Sequence, residues 1–230
     1  MTPLVLLPGM MCDARLFQPQ LAAFSGEREI SVPPLGGADS VAGLAATVLA
    51  LAPDRFALAG LSMGGIVAME VIRQAPERVE RLALMDTNPL AEGDAVKTMR
   101  EPQIAKAEAG ELLQVMRDEM KPQYLADGPQ RSDILDLCMA MAQTLGPGIF
   151  VRQSRALQSR PDQQDSLRAV RCPALILCGR DDALCPVHRH ELMAELMPHA
   201  TLHIVENAGH LPTLEQPDET TAALRRWLEE

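Results

Sequence analysis

The chain has 230 residues, 47% of them apolar and 23% charged, with a net charge of −10 from 21 basic and 31 acidic side chains. That length suits one domain with a sizeable core. With no basic cluster and only four Phe, one Tyr and one Trp, nucleic acid and anionic membrane surfaces are poor partners. The five cysteines are odd in number and show no C-x-x-C spacing, which fits reduced thiols in the cytoplasm better than a disulfide framework.

Leu4–Leu7 is a continuous apolar run, read as a buried strand. It is too short for a signal peptide, and no stretch is expected to cross a membrane. Residues 15–24 are expected to form a helix, residues 29–32 a short strand, and Val41–Leu51 an Ala/Leu-rich helix. Residues 56–59 form a second apolar run, ending in Gly60-Leu61-Ser62-Met63-Gly64-Gly65, and a helix is expected over residues 66–75. A strand therefore feeds a helix through G-x-S-x-G, a sharp turn that exposes the hydroxyl of Ser62 and places it beside the amides of a helix N-terminus.

A strand over residues 82–85 closes this half and ends at Asp86. From residue 89 to residue 167 the strand signal vanishes. Helices are expected at 94–109, 111–121, 132–145 and 149–159, punctuated by Gly110, Pro122, Gly128-Pro129 and Gly146-Pro147-Gly148. The strand pattern returns at 175–178 and 202–205, with helices at 188–196 and 213–229. The first of these strands runs into Gly179-Arg180-Asp181-Asp182, the second into Gly209-His210. Runs rather than alternations, with helices between them, predict a parallel sheet of about six strands covered on both faces. Ser62, an acid and a histidine then lie on one edge of that sheet, where active sites form.

The order Ser, Asp, His, together with Leu6-Leu7-Pro8-Gly9, the Gly-x-x-Asp-x-x-x-Pro pattern from Gly179 to Pro186, and Gly209-His210, resembles the α/β-hydrolases, in particular small serine esterases with a helical cap. The resemblance runs from Leu4 to Trp227. It implies an α/β-hydrolase core over residues 1–88 and 168–230, lacking the family's first two strands, and a cap over residues 89–167. Where members usually carry His-Gly after the first strand, this chain carries Pro8-Gly9, so rigidity at Pro8 would hold that loop.

The expected chemistry is acyl transfer without metal or organic cofactor. Ser62 is the nucleophile, His210 the base, and Asp182 the acid that orients it. The backbone N–H groups of Met63 and, by resemblance, Met10 form the oxyanion hole. Spacing to Pro186 selects Asp182 over Asp181, which is expected to hold turn amides, and Asp86 is the alternative acid. Carboxylic esters of small to medium acyl chain are the expected substrates. A lactone, a thioester or a C–C bond beside a ketone stays open as the alternative, as does a ligand binder without catalysis. Met10, Met11, Met63 and methionines of the insertion are candidates for an adaptable apolar pocket. The sequence leaves the oligomeric state open.

Overall fold

The computed structural model describes residues 1–229. Six strands, β1 (Leu4–Leu7), β2 (Ile30–Ser31), β3 (Phe56–Leu61), β4 (Val79–Met85), β5 (Ala174–Gly179) and β6 (Thr201–Val205), form one sheet in the order β2-β1-β3-β4-β5-β6. Every pairing is parallel. All residues of β1, β3 and β5 are buried, the consequence of covering both faces of a parallel sheet with helices. One apolar cluster joins α2 (Val41–Leu51) and α3 (Met63–Gln74) to the sheet through Leu44, Val48, Val67 and Val71. The other lies on the opposite face, where Phe17, Phe24, Leu224 and Trp227 gather. These come from the turn at Ala14–Phe17, from α1 (Gln18–Phe24) and from α10 (Pro217–Glu229).

Several expected elements shift at their ends. The strand β3 runs on through Gly60 and Leu61, and α3 starts at Met63 rather than Ile66, because the chain passes from strand to helix without a loop. The segment 15–24 splits. Asp13 caps a 3₁₀ turn by accepting the Arg15 N–H at 3.0 Å, and Pro19 then opens α1. The segment 213–229 splits likewise into α9 (Pro212–Glu215) and α10, the second opened by Pro217.

The segment between β4 and β5 contains α4 (Asp94–Lys106), α5 (Leu112–Gln114), α6 (Arg131–Gln158) and α7 (Gln164–Ala169). Wide π-helical turns at Ala107–Glu111 and Val115–Met120 flank α5, with Gly110 at φ 92°. Two helices are expected over 132–159, and the chain supplies them as α6, broken at Gly146 (φ 77°) ahead of Pro147. By length and composition α6 is long and apolar enough to cross a membrane, contrary to expectation. It is interrupted, however, and Ile134, Met141, Phe150 and Leu157 pack into the two clusters of the core. The segment thus shares the core of the sheet.

After β5, α8 (Val187–Leu196) leads to β6 at the sheet edge. His203 on β6 faces α10, its Nε2 lying 3.1 Å from Glu219 Oε1.

Candidate active site

The strand order places a topological switch between β1 and β3, because the chain winds outward in opposite directions from that pair. Clefts in open α/β sheets form at such a point, beyond the carboxyl ends of the strands. The loop after β1 and the elbow after β3 are therefore neighbours.

Ser62 sits at the elbow with φ 56° and ψ −116°, a conformation an L-residue holds only under constraint. Its N–H donates to Met85 O at 2.9 Å, and its carbonyl accepts from Gly65 and Ile66 at the start of α3. The flanking glycines are required by contact. A Cβ on Gly60 would fall on the backbone of Gly64, and one on Gly64 would fall on the Leu7 carbonyl. Close packing of the helix start against β1 and β3 thus holds the serine at the sheet edge.

Asp182 and His210 come from the turns after β5 and β6. His210 Nε2 lies 2.8 Å from Ser62 Oγ, and His210 Nδ1 lies 2.8 Å from Asp182 Oδ2. Asp182 Oδ1 accepts the N–H groups of Leu184 and Cys185 at 2.8 and 3.0 Å. Burial opposes the charge on Asp182. The His210 contact and those two amides outweigh it and hold the carboxyl below its usual range. The expectation that Asp181 would hold the turn amides is therefore corrected. Asp181 is exposed, and Asp182 does both jobs with its two oxygens.

One carbonyl and one carboxylate fix the histidine loop. The His210 N–H donates to Tyr124 O at 2.6 Å. Glu215 accepts the N–H groups of Gly209, Leu211 and Ala126 at 2.8–2.9 Å, binding that loop to the segment before α6.

The loop after β1 runs Pro8-Gly9-Met10-Met11-Cys12. Gly9 lies against Ser62, since a Cβ there would sit 3.4 Å from the Ser62 Cβ. The Cys12 N–H closes a turn on Gly9 O at 3.1 Å, and Gln153 of α6 accepts the Met11 N–H at 2.9 Å. Met11 takes φ 55°. Among the described residues no hydrogen bond occupies the Met10 N–H. The Met63 N–H belongs to the first turn of α3 and has no partner within the helix. A side chain from α6 thus does the anchoring that sequence alone assigned to the rigidity of Pro8.

A cavity of about 700 Å³ opens over Ser62 and is lined by Met10, Met63, Met99, Met120, Tyr124 and Leu157, among others. Cys12 also lines it, whereas Met11, buried and held at its backbone N–H by Gln153, does not. One wall is charged. Glu92 is buried and accepts from two guanidiniums, Arg100 at 2.8 Å and Arg160 at 3.0 Å. Arg100 also approaches Met10 Sδ at 3.9 Å, which links α4 to the oxyanion loop. No local pattern flags these residues, and the Glu92–Arg160 and Arg100–Met10 contacts span tens of positions.

Beneath the triad lies a second polar layer. Thr87 Oγ1 donates to Ser62 O at 2.7 Å, and its N–H donates to His190 Nε2 at 3.1 Å. Burial lowers the pKa of His190 to about 4, leaving a neutral ring. Asp86, at φ 45° and fully buried, accepts the Gly179 N–H at 2.9 Å. Asp182, Cys185 and His210 each bring a ligand-type atom within 4.8 Å of the others. The histidine and aspartate atoms are already engaged with one another and with Ser62, and burial drives the Cys185 thiol well above its ordinary pKa, against the thiolate a metal would need.

The chain and its fold have known relatives. The alpha/beta hydrolase family matches residues 4–224. The chain is 25% identical to the pimeloyl-[acyl-carrier protein] methyl ester esterase of Aliivibrio salmonicida, over 98% of this chain and 92% of that protein. It is 27% identical to the enzyme of the same name from Nitrosomonas europaea, over 89% and 81%. Among solved structures, a thermophilic esterase from Thermogutta terrifontis superposes with a TM-score of 0.92 at 26% identity, covering 100% of this chain and 90% of that one. The enol-lactonase of Burkholderia xenovorans shares the fold, with a TM-score of 0.87 at 21% identity over 100% of this chain and 92% of its own. The chain belongs to the alpha/beta hydrolase family and is an esterase-type hydrolase.

Proposed function

We propose that the protein hydrolyses carboxylic esters of small to medium acyl chain through an acyl-enzyme on Ser62. The observation that carries this is the unbroken chain of contacts from Ser62 Oγ through His210 to Asp182, each 2.8 Å long. Ser62 Oγ attacks the acyl carbonyl while His210 Nε2 takes its proton. Collapse of the tetrahedral intermediate breaks the bond to the alkoxy oxygen, which leaves as the alcohol with that proton. Water, deprotonated in turn by His210, attacks the acyl carbon and releases the acid and a free Ser62. Asp182 fixes the tautomer and offsets the imidazolium charge. The N–H groups of Met63 and Met10 meet the oxyanion, each donor contributing about 3 kcal/mol in the transition state.

Residues 89–167 act as a cap in this reading. They form a wall of the cavity over Ser62 and hold the Met10–Cys12 loop through Gln153. A cavity of about 700 Å³ suits a medium acyl chain. The relatives named as methyl ester esterases make a methyl ester of a carried acyl chain a natural member of that class. Free thiols at all five cysteines support a reducing, cytoplasmic setting.

The test is a panel of p-nitrophenyl esters, methyl esters, lactones and acyl thioesters assayed side by side. The expected result is the highest kcat/KM on an ester. A lactone or thioester turned over faster than every ester would replace the substrate class, and no turnover of any of them would make the protein a ligand binder.

A further inference from the structure

Asp86 has no role in the mechanism above, yet it is fully buried and lies behind the acid turn. It ends β4, between the elbow after β3 and the turn after β5, with its N–H donated to Leu177 O at 3.0 Å. Its Oδ1 accepts the Gly179 N–H at 2.9 Å, at the base of the turn that carries Asp182. Its Oδ2 is buried and meets no hydrogen-bond donor among the described residues. A buried carboxylate oxygen without a donor is costly, whereas a protonated one needs an acceptor. Gly179, whose N–H Asp86 accepts, also accepts the Asp182 N–H on its own carbonyl at 3.4 Å, and the Asp182 carboxyl is the neighbouring charge that, after burial, most raises the pKa of Asp86.

Two neighbouring carboxyls buried away from water disfavour a second charge. Asp182 has the stronger claim to the charge, since it receives two backbone N–H groups and the His210 ring, whereas Asp86 receives one N–H. A carboxylate offers about four acceptor sites, so Asp182 retains room for one more donor.

We propose that Asp86 is a neutral carboxylic acid that donates its proton as a hydrogen bond to the Asp182 carboxylate, making Asp86 a positioning residue for the triad. With one oxygen on Gly179 and the other on Asp182, it pins both the base and the working carboxylate of the acid turn to β4. The same strand end holds the Ser62 peptide through Thr87, so nucleophile and acid are referenced to one rigid element. The inference rests on the Ser62–His210–Asp182 reading.

Other ionisable groups near Asp86 are Cys185 in the acid turn, Cys178 on β5 and Glu215 on α9, with His210 beyond Asp182 and His190 of α8 bound to the adjacent Thr87 amide. The cysteine thiols are held neutral by burial, and His190 is neutral above about pH 4. The acidic limb of a kcat/KM profile therefore reads the charge that Asp182 and Asp86 present to the triad.

The test compares Asp86→Ala, Asp86→Asn and Asp182→Asn. The asparagine at 86 keeps both an acceptor for Gly179 and a donor for Asp182, so it mimics the neutral acid. The expected result is a loss of roughly 10–100-fold in kcat for Asp86→Ala, the range typical of a partner that orients a reacting group. Asp86→Asn should rescue most of that loss and leave the acidic limb in place. An acidic limb that moves down by about half a pH unit or more in Asp86→Asn would show that the wild-type residue is charged, and would overturn the proposal. So would an Asp86→Asn as damaged as Asp86→Ala, or an Asp86→Ala of wild-type activity. If Asp86→Ala does not fold, the limb of Asp86→Asn alone decides. A fully active Asp182→Asn would refute the triad reading itself, whereas an inactive one beside any of the three contrary results refutes the role of Asp86 alone.

Discussion

Thr87 donates its hydroxyl to the carbonyl oxygen of Ser62 at 2.7 Å, so the end of β4 holds the peptide of the strained elbow residue. The same hydroxyl lies against Gly65, where a Cβ would meet it at 2.6 Å. Thr87→Val keeps the shape and deletes the donor. It should cost about 1 kcal/mol of stability, since Ser62 O retains its two helical donors. Thr87→Ser should cost less, and urea unfolding of the three proteins measures the order. A valine variant as stable as wild type would make the contact incidental.

The two adjacent aspartates of the acid turn should separate cleanly. Asp182→Asn should lower kcat/KM by roughly a thousandfold or more, because the histidine loses both its tautomer and its counter-charge. Asp181→Asn should change it by less than about twofold, since that side chain faces solvent. Esterase assays on both variants provide the check, and equal losses would remove Asp182 from its role.

Asp86 also has a signature in stability. Burial, and then the Asp182 carboxylate, push its pKa well above the ordinary carboxylate value. Above the unfolded pKa of about 4, the unfolded chain releases that proton while the folded chain keeps it, so stability falls as pH rises through that window. Asp86→Asn removes the linkage. Its Tm relative to wild type should climb between pH 4 and pH 8, as read by calorimetry across that range. A difference that stays flat with pH would mean that Asp86 titrates like an ordinary carboxyl.

Residues of α4, α6 and the wide turn at Val115–Met120 line the cavity over Ser62, and the apolar residues Leu112, Val115 and Met116 of the same segment are buried in the core rather than offered to a lipid surface. Rates on p-nitrophenyl esters from acetate to palmitate should peak at or below octanoate, with no jump when the substrate passes its solubility limit. Interfacial activation on emulsified triglyceride would contradict this reading.

The sequence exposed the sheet and its edge because β1, β3, β5 and the last four residues of β4 are apolar runs followed by glycine or by a chemically distinctive residue. Ser62 and His210 stand out through their glycine neighbours, and Asp182 through its spacing to Pro186. Asp86 was visible as a carboxyl at a strand end, but its contact with Gly179 needs the β4–β5 pairing to be seen. Thr87 and Gln153 left no trace, since each acts on a backbone group tens of residues away, as does Glu215 in its contact with Ala126. Glu92 also carried no motif, and its arginine partners lie on α4 and just past α6. The wide turns around α5 carry no periodicity that separates them from ordinary helix.

The most direct measurement is mass mapping after reaction with a serine-directed organophosphate, alongside turnover of the Ser62→Ala variant. One adduct should appear, on the peptide containing Ser62. The folded alanine variant should take up no label and lose several orders of magnitude in ester hydrolysis. An adduct on another residue, or an alanine variant that keeps its activity, would contradict catalysis by Ser62.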